Sequence, residues 1–259
     1  MCNCMTKAYP DGSQVILAAE RPIFRRPGWE ERRRKPSDDL FDGAEPVDRT
    51  ANVARAQRRA RSRVFDLAMS NDFTYFVTFT LDRQKVDRYD AGEITRRLNS
   101  WLDNRVRRSG LAYVLVPERH KDGAIHFHGL INDALPVTPS GTFAHGGDKP
   151  RRPRSAAELA EWREKPEEFH EVFNLPAWSL GFSTAIPLYG SRAAACGYVC
   201  KYISKAPEKI GGRWYYSGGA LRGPVVTFSD VDFDAAAAGG QTFTLDGLGV
   251  RCVKVNNLS

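Results

Sequence analysis

Residues Leu111–Ile131 read LAYVLVPERHKDGAIHFHGLI. Two apolar runs, Leu111 to Glu118 and Ala124 to Ile131, flank the turn-forming Lys121-Asp122-Gly123, and this pattern predicts a β-hairpin. Side chains two apart in a strand share a face, so His126 and His128 project together while Phe127 turns the other way. Glu118 ends the first strand, where the short turn brings it beside both imidazoles. Two neutral imidazoles and one carboxylate can hold a divalent ion with positions left open for a substrate. Such an ion polarises a phosphoryl or carbonyl oxygen as a Lewis acid. The plain alternative is two satisfied histidines on a strand surface. Only five histidines occur in the chain, and two of them on one strand face beside a glutamate favour the ligand reading.

Outward from this hairpin, elements of both kinds alternate. Ala51 to Asn71 has a helical apolar stripe (Val53, Ala60, Val64, Leu67, Ala68) with its arginines mostly off it. Phe73 to Leu81, FTYFVTFTL, is aromatic and β-branched and reads as a strand. Ala91 to Ser109 is a second helix, closed by Gly110. Residues 133–176 read as an insertion rich in Pro, Gly and Arg, with a short helix around Ala156 to Lys165. Phe182 to Leu188 reads as a strand and Ala193 to Lys205 as a helix. Trp214 to Ser217, Val225 to Phe228 and Thr242 to Val255 have β character, and Ala235 to Gly240 reads as a small-residue linker. The expected fold class is α+β, a mostly antiparallel sheet of about five strands with helices packed on one face. The expected organisation is a basic, largely irregular tail over 1–50, a main domain over 51–230, and a linker with a C-terminal β segment over 231–259.

The formal charge of +7 and pI near 9.2 favour a polyanionic partner. Arginines cluster at Arg25-Arg26, Arg32 to Arg34, Arg55 to Arg63, Arg105 to Arg108 and Arg151 to Arg154. The five cysteines form no disulfide-like framework, which suits a reducing compartment. No leader-like or membrane-spanning apolar run appears, so a cytoplasmic protein with no membrane partner is expected. Cys196 and Cys200 share one helix face; with Cys2 and Cys4 they form a zinc site if the N-terminal segment returns to this helix. Reduced, partly buried thiols are the simpler reading.

A second constellation lies in YVCKYISK, Tyr198 to Lys205. At helical spacing Tyr198 and Tyr202 are one turn apart, about 6 Å along the axis. Lys205 follows on that face and Lys201 flanks it. Tyrosines often pack in a core with wet tips, but two hydroxyls and two ammoniums on one face are unusual for a core helix. Beside a metal that polarises a phosphodiester, a tyrosine hydroxyl is a nucleophile. The lysines are expected to favour its phenolate.

FVTFTLD (Phe76 to Asp82), HFHG (His126 to Gly129) and YVCKYISK, in that order, resemble the three motifs of the HUH endonuclease superfamily. The third is similar to that of the two-tyrosine rolling-circle replication initiators of the phage A and gene II type. The resemblance spans about residues 50–230. It implies an RRM/ferredoxin-like sheet, with His126, His128 and, by position, Glu118 as ligands of Mn²⁺ or Mg²⁺; Gln84 and His120 are substitutes for Glu118. Tyr198 and Tyr202 match the paired nucleophiles, and Lys201 and Lys205 the basic positions beside them. The implied activity is metal-dependent nicking and joining of single-stranded DNA at a replication origin through a 5′-phosphotyrosine. A phage or plasmid origin within a bacterial host follows. No nucleotide-binding G-x-x-x-x-G-K-[ST] motif occurs, so a host helicase and polymerase are expected partners, and no small-molecule ligand is. Candidate DNA contacts are Arg55, Arg58, Arg59, Arg151, Arg152, Arg154 and Trp178, the last for base stacking. The same nicking chemistry also serves transposases and relaxases. Rivals of other classes are a non-catalytic basic nucleic-acid-binding protein and a metal hydrolase without tyrosine chemistry.

Overall fold

A computed structural model describes residues 1–25, 49–146, 149–205, 208–245 and 249–257. In chain order the elements begin with β1 (Cys4–Ala8), β2 (Gln14–Ala19), α1 (Arg49–Ser70), β3 (Tyr75–Leu81), α2 (Ala91–Ser109), β4 (Tyr113–Arg119) and β5 (Ile125–Ile131). There follow β6 (Thr138–His145), α3 (Ala156–Glu164), β7 (Phe169–Asn174), β8 (Gly181–Pro187), α4 (Arg192–Lys205) and β9 (Tyr216–Gly218). The chain ends with β10 (Val225–Ser229), α5 (Phe233–Ala238), β11 (Gln241–Leu245) and β12 (Val250–Asn257). The fold is α+β and falls into two compact units, one of residues 1–56 and 224–259, the other of residues 57–223.

The first unit is a five-stranded antiparallel sheet in the order β10-β1-β2-β12-β11. Buried Cys4, Ala18 and Val253 pack with Phe233, Ala236 and Ala237 of α5. Two expectations are corrected here. The segment read as an irregular tail over 1–50 supplies β1 and β2, which pair with each other and with β10 and β12 from the far end of the chain. The presumed linker at Ala235 to Gly240 is largely the helix α5, capped by Asp232, whose side chain accepts from the Asp234 and Ala235 amides. Arg26 and Arg32 to Arg34 lie outside the described residues.

The second unit is built on a seven-stranded sheet in the order β6-β7-β8-β3-β5-β4-β9, antiparallel throughout. The stretch read as an insertion, 133–176, therefore extends this sheet through β6 and β7. Helix α2 is fixed at both ends. Asp90 accepts from the Gly92 and Glu93 amides at 2.8 and 3.1 Å, and Gly110 takes the left-handed conformation at φ 72° that ends it. Ile94, Leu98, Trp101 and Leu102 of α2 pack on Val77, Phe79, Leu81, Leu115, Ile125 and Phe127. This defines the core face of the sheet.

Strand alternation sends the intervening residues, Phe76, Thr78, Thr80, His126 and His128, to the other face. That face carries α4 over β4 and β5, held to α1 by the Cys200 thiol on the Arg61 carbonyl and by Arg192 on Asp72 at 2.9 Å. Helices thus lie on both faces of this sheet rather than on one, and Val114, Val116 and Leu130 are buried beneath the second layer. The uninterrupted apolar run of β4 is the sequence trace of this two-sided burial. Among the described residues no helix is long and apolar enough to cross a membrane.

Gly129 of β5 lies opposite Leu115 of β4. A Cβ there would collide with the Val114 carbonyl oxygen and stand 2.8 Å from Leu115 Cα. Gly129→Ala is expected to cost about 3 kcal/mol of stability, read as a lower urea midpoint with an unchanged slope; an unaltered midpoint would show that the strands can separate freely.

Candidate functional site

The register of three strands assembles the site. Thr80 lies opposite His126, and Thr78 opposite His128, across β3 and β5. On the far side of β5, Glu118 lies opposite His126 and Val116 opposite His128. Each threonine hydroxyl meets a ring nitrogen: Thr78 Oγ1 stands 3.0 Å from His128 Nδ1, and Thr80 Oγ1 stands 3.2 Å from His126 Nδ1. Both Nδ1 atoms are thereby engaged, which orients both Nε2 atoms away from β3. His128 Nε2 is 3.0 Å from Glu118 Oε2.

Burial, reinforced by His126, pulls the His128 imidazole down to about 4, and burial first, then His120, also lowers His126. Burial thus disfavours a charged His128 beside Glu118. Glu118 is itself raised by burial, against the opposing charges of Lys205 and His120. Neutral imidazoles fixed at Nδ1 beside a carboxylate are the donor set and the outer support that a divalent ion requires. Among the described residues no three His, Cys, Asp or Glu side chains form a ready cage; Glu118 and His128 touch, with His126 beside them. Of the two substitutes, His120 has its ring 5.3 Å from that of His126. Gln84 is exposed in the turn after β3, and His120 is turned toward Asp122 at 3.4 Å.

Helix α4 brings both tyrosines over this cluster. The Tyr202 ring stacks on His128, with centroids 4.2 Å apart and planes 12° from parallel, and its hydroxyl donates to the Tyr198 hydroxyl at 2.9 Å. Phe76 packs edge-on against Tyr198 at 5.1 Å and lies parallel to Tyr202 at 6.5 Å. Burial, the hydrogen bond to Tyr198 and the negative charge of Glu118 push the Tyr202 hydroxyl well above the ordinary phenol range. The expectation that Lys201 and Lys205 favour the phenolate does not hold for Tyr202. Both lysines are exposed, and neither is among the charges that act on its hydroxyl.

The candidate DNA contacts have varied surroundings. Arg55, Arg58 and Arg59 are exposed on α1, Arg55 bonded to Asn52. Arg151 pairs with Glu158 at 2.7 Å and lies over Trp162, while Arg152 and Arg154 are exposed. The cluster Arg105 to Arg108 belongs to α2, on the face of the sheet away from the tyrosines. Trp178 is corrected outright. It is a core side chain, stacked on Phe79 at 4.4 Å and bonded through Nε1 to the Thr80 carbonyl, so no base can reach it. All five cysteines are buried, and none forms a disulfide. Burial pushes Cys200 up to about 11, and none of them joins a group of three possible metal ligands among the described residues.

Thr78, Thr80 and Phe76 escape a reading by residue type. Their signal is the two-residue period that FVTFTLD shares with HFHG, which means a contact only once the strands are known to pair.

Residues 74–207, just over half of the chain, match the model of the family described as replication-associated protein ORF2/gene II protein, and the chain belongs to that family. The matched stretch runs from the threshold of β3 past the end of α4 and so includes every candidate ligand and both tyrosines. Membership ties the protein to DNA replication, with DNA as its partner. No curated protein and no solved structure matches the chain.

The burial of His128 has a pH signature. Between its ordinary value of 6.5 and about 4, the unfolded chain binds a proton that the folded one does not, so stability falls as the pH falls through this window. Glu118, raised in the fold, acts with the opposite sign at the acid end. His128→Asn is expected to remove of the order of 2 kcal/mol of the acid-side loss, read from urea unfolding at about pH 7 and about pH 4.5. An acid-side loss equal to that of the wild type would contradict a buried neutral ring.

Proposed function

We propose that the protein initiates rolling-circle replication as a two-tyrosine HUH endonuclease that nicks and rejoins single-stranded DNA. The observation that carries this reading is the Tyr202 ring stacked on His128, with Tyr198 at hydrogen-bonding distance beyond it. A nucleophile pair on one helix turn stands over the residues best suited to hold a cation.

Mn²⁺ or Mg²⁺, held by His126, His128 and Glu118, supplies Lewis-acid polarisation of the scissile phosphate when bound. The rest is done by this chain. Tyr198, half exposed and accepting a hydrogen bond from Tyr202, is the first nucleophile. Its oxygen bonds to phosphorus, the bond from phosphorus to the 3′ oxygen breaks, and the phenolic proton ends on that 3′ oxygen. The products are a 5′-phosphotyrosine and a free 3′-hydroxyl. One phosphodiester replaces another, so rejoining needs no nucleotide. Tyr202, more deeply buried and tied to Tyr198 by its own hydroxyl, serves the second transfer that releases the circle. Lys201 and Lys205, exposed at the end of α4, offset charge on the phosphate oxygens.

A denaturing-gel assay with labelled strands tiling the protein's own replicon tests the nicking reading. An adduct is expected with Mn²⁺ and not with EDTA. It falls to background in Tyr198→Phe and in the double variant, while Tyr202→Phe keeps the first adduct and loses strand transfer. Tight DNA binding with no adduct on any strand would favour a non-catalytic binding protein, and metal-dependent cleavage without adduct a hydrolase. For the metal set, Thr78→Val is expected to weaken Mn²⁺ binding about 10- to 100-fold, measured by titration followed by electron paramagnetic resonance; unchanged affinity would remove Thr78 from the site.

A further inference from the structure

Phe182 stands out on the site face. At 69% exposure it is the most exposed of the large hydrophobic side chains among the described residues. It sits on β8 opposite Thr80, which is opposite His126, which is opposite Glu118. The four residues form one cross-strand row. With strands about 5 Å apart, the ring stands roughly 10 Å from His126 along the sheet. The adjacent row reads Thr184, Thr78, His128 and Val116, so the nearest neighbour of Phe182 along β8 on this face is a half-buried threonine, not an apolar patch. Ring contacts engage Phe76 on this face and Phe79, Trp101 and Trp178 on the core face, but none engages Phe182 among the described residues.

Its setting is rigid. A Cβ on Gly181 would strike the Thr80 carbonyl oxygen and stand 2.6 Å from the Asp82 amide nitrogen, so β8 lies hard against β3 at this point. The Asp82 amide bonds to the Leu180 carbonyl at 3.0 Å, and Trp178 Nε1 bonds to Thr80 at 3.2 Å. Helix α4 stands over β4 and β5, which leaves the Thr80–Phe182 end of the row uncovered. The row therefore runs from Glu118 and His126, on the strands beneath the tyrosine helix, across Thr80 to an exposed aromatic ring.

We infer that Phe182 is the stacking platform for a nucleobase of the single-stranded substrate, next to the phosphate that is cut. This rests on the nicking reading above and adds to it the residue that grips the strand. An exposed ring gains nothing from packing in the free protein, and a base laid on it excludes water from both. Stacking is tolerant of base identity because every base has a π face. A ring on a strand whose backbone is already fixed needs no backbone ordering to receive a base.

The test uses the full chain with Mn²⁺ and fluorescein-labelled oligo(dT) of about 20 nucleotides, followed by anisotropy. Phe182→Ala and Phe182→Leu are expected to raise Kd about tenfold, and Phe182→Trp to preserve it. With 2-aminopurine walked along the strand, one position is expected to be quenched by the wild type and not by Phe182→Leu, which keeps an apolar side chain but no ring. Wild-type affinity in both Phe182→Ala and Phe182→Leu, in a protein that binds DNA and forms the metal-dependent adduct, overturns the stacking role alone. Failure of the wild type to bind any single strand overturns this inference and the nicking reading together.

Discussion

The pairing of β3 with β5 is the constraint on which the candidate site depends. It sets Thr78 against His128 and Thr80 against His126, and everything chemical on this face follows from those two matches. A slip of one residue would turn both histidines into the α2 core and bring Phe127 to the surface. The apolar residues between them, Val77, Phe79 and Phe127, forbid the slip, because each is fully buried on the opposite face. The core and the site are therefore two faces of one register, and the packing that stabilises the unit also aims the imidazoles.

Burial then tunes what the register has placed. It keeps both histidines neutral, raises Glu118 and raises Tyr202. In a water-filled groove these groups would sit near their ordinary values. On the proposed reading, Tyr202 is held back by burial and by its hydrogen bond to Tyr198. The resting site is thus biased toward the exposed Tyr198, and the two hydroxyls, alike in sequence, differ in environment.

The family match and the fold bear on different parts of the chain. The matched stretch ends at residue 207, before β9 closes one edge of the large sheet. The five-stranded unit lies wholly outside the match. It joins strands from the two ends of the chain, an arrangement in which no local segment can form its sheet alone.

Much was legible in the residues themselves. Strong local signals gave α2 to the residue, because the helical period and the glycine that ends it act over a few positions. The hairpin, its His-X-His face and the Tyr-x-x-x-Tyr helix were equally local, since strand and helix periods alone fix which side chains share a face. Tertiary structure alone decided the remainder. It paired β1 with β10 and β2 with β12 across nearly the whole chain, and made β6 and β7 part of the large sheet. It also buried Trp178 while leaving the nearby Phe182 exposed. Spacing along a chain reports direction within one element, but burial and register depend on which elements meet, and that depends on contacts between residues far apart in sequence.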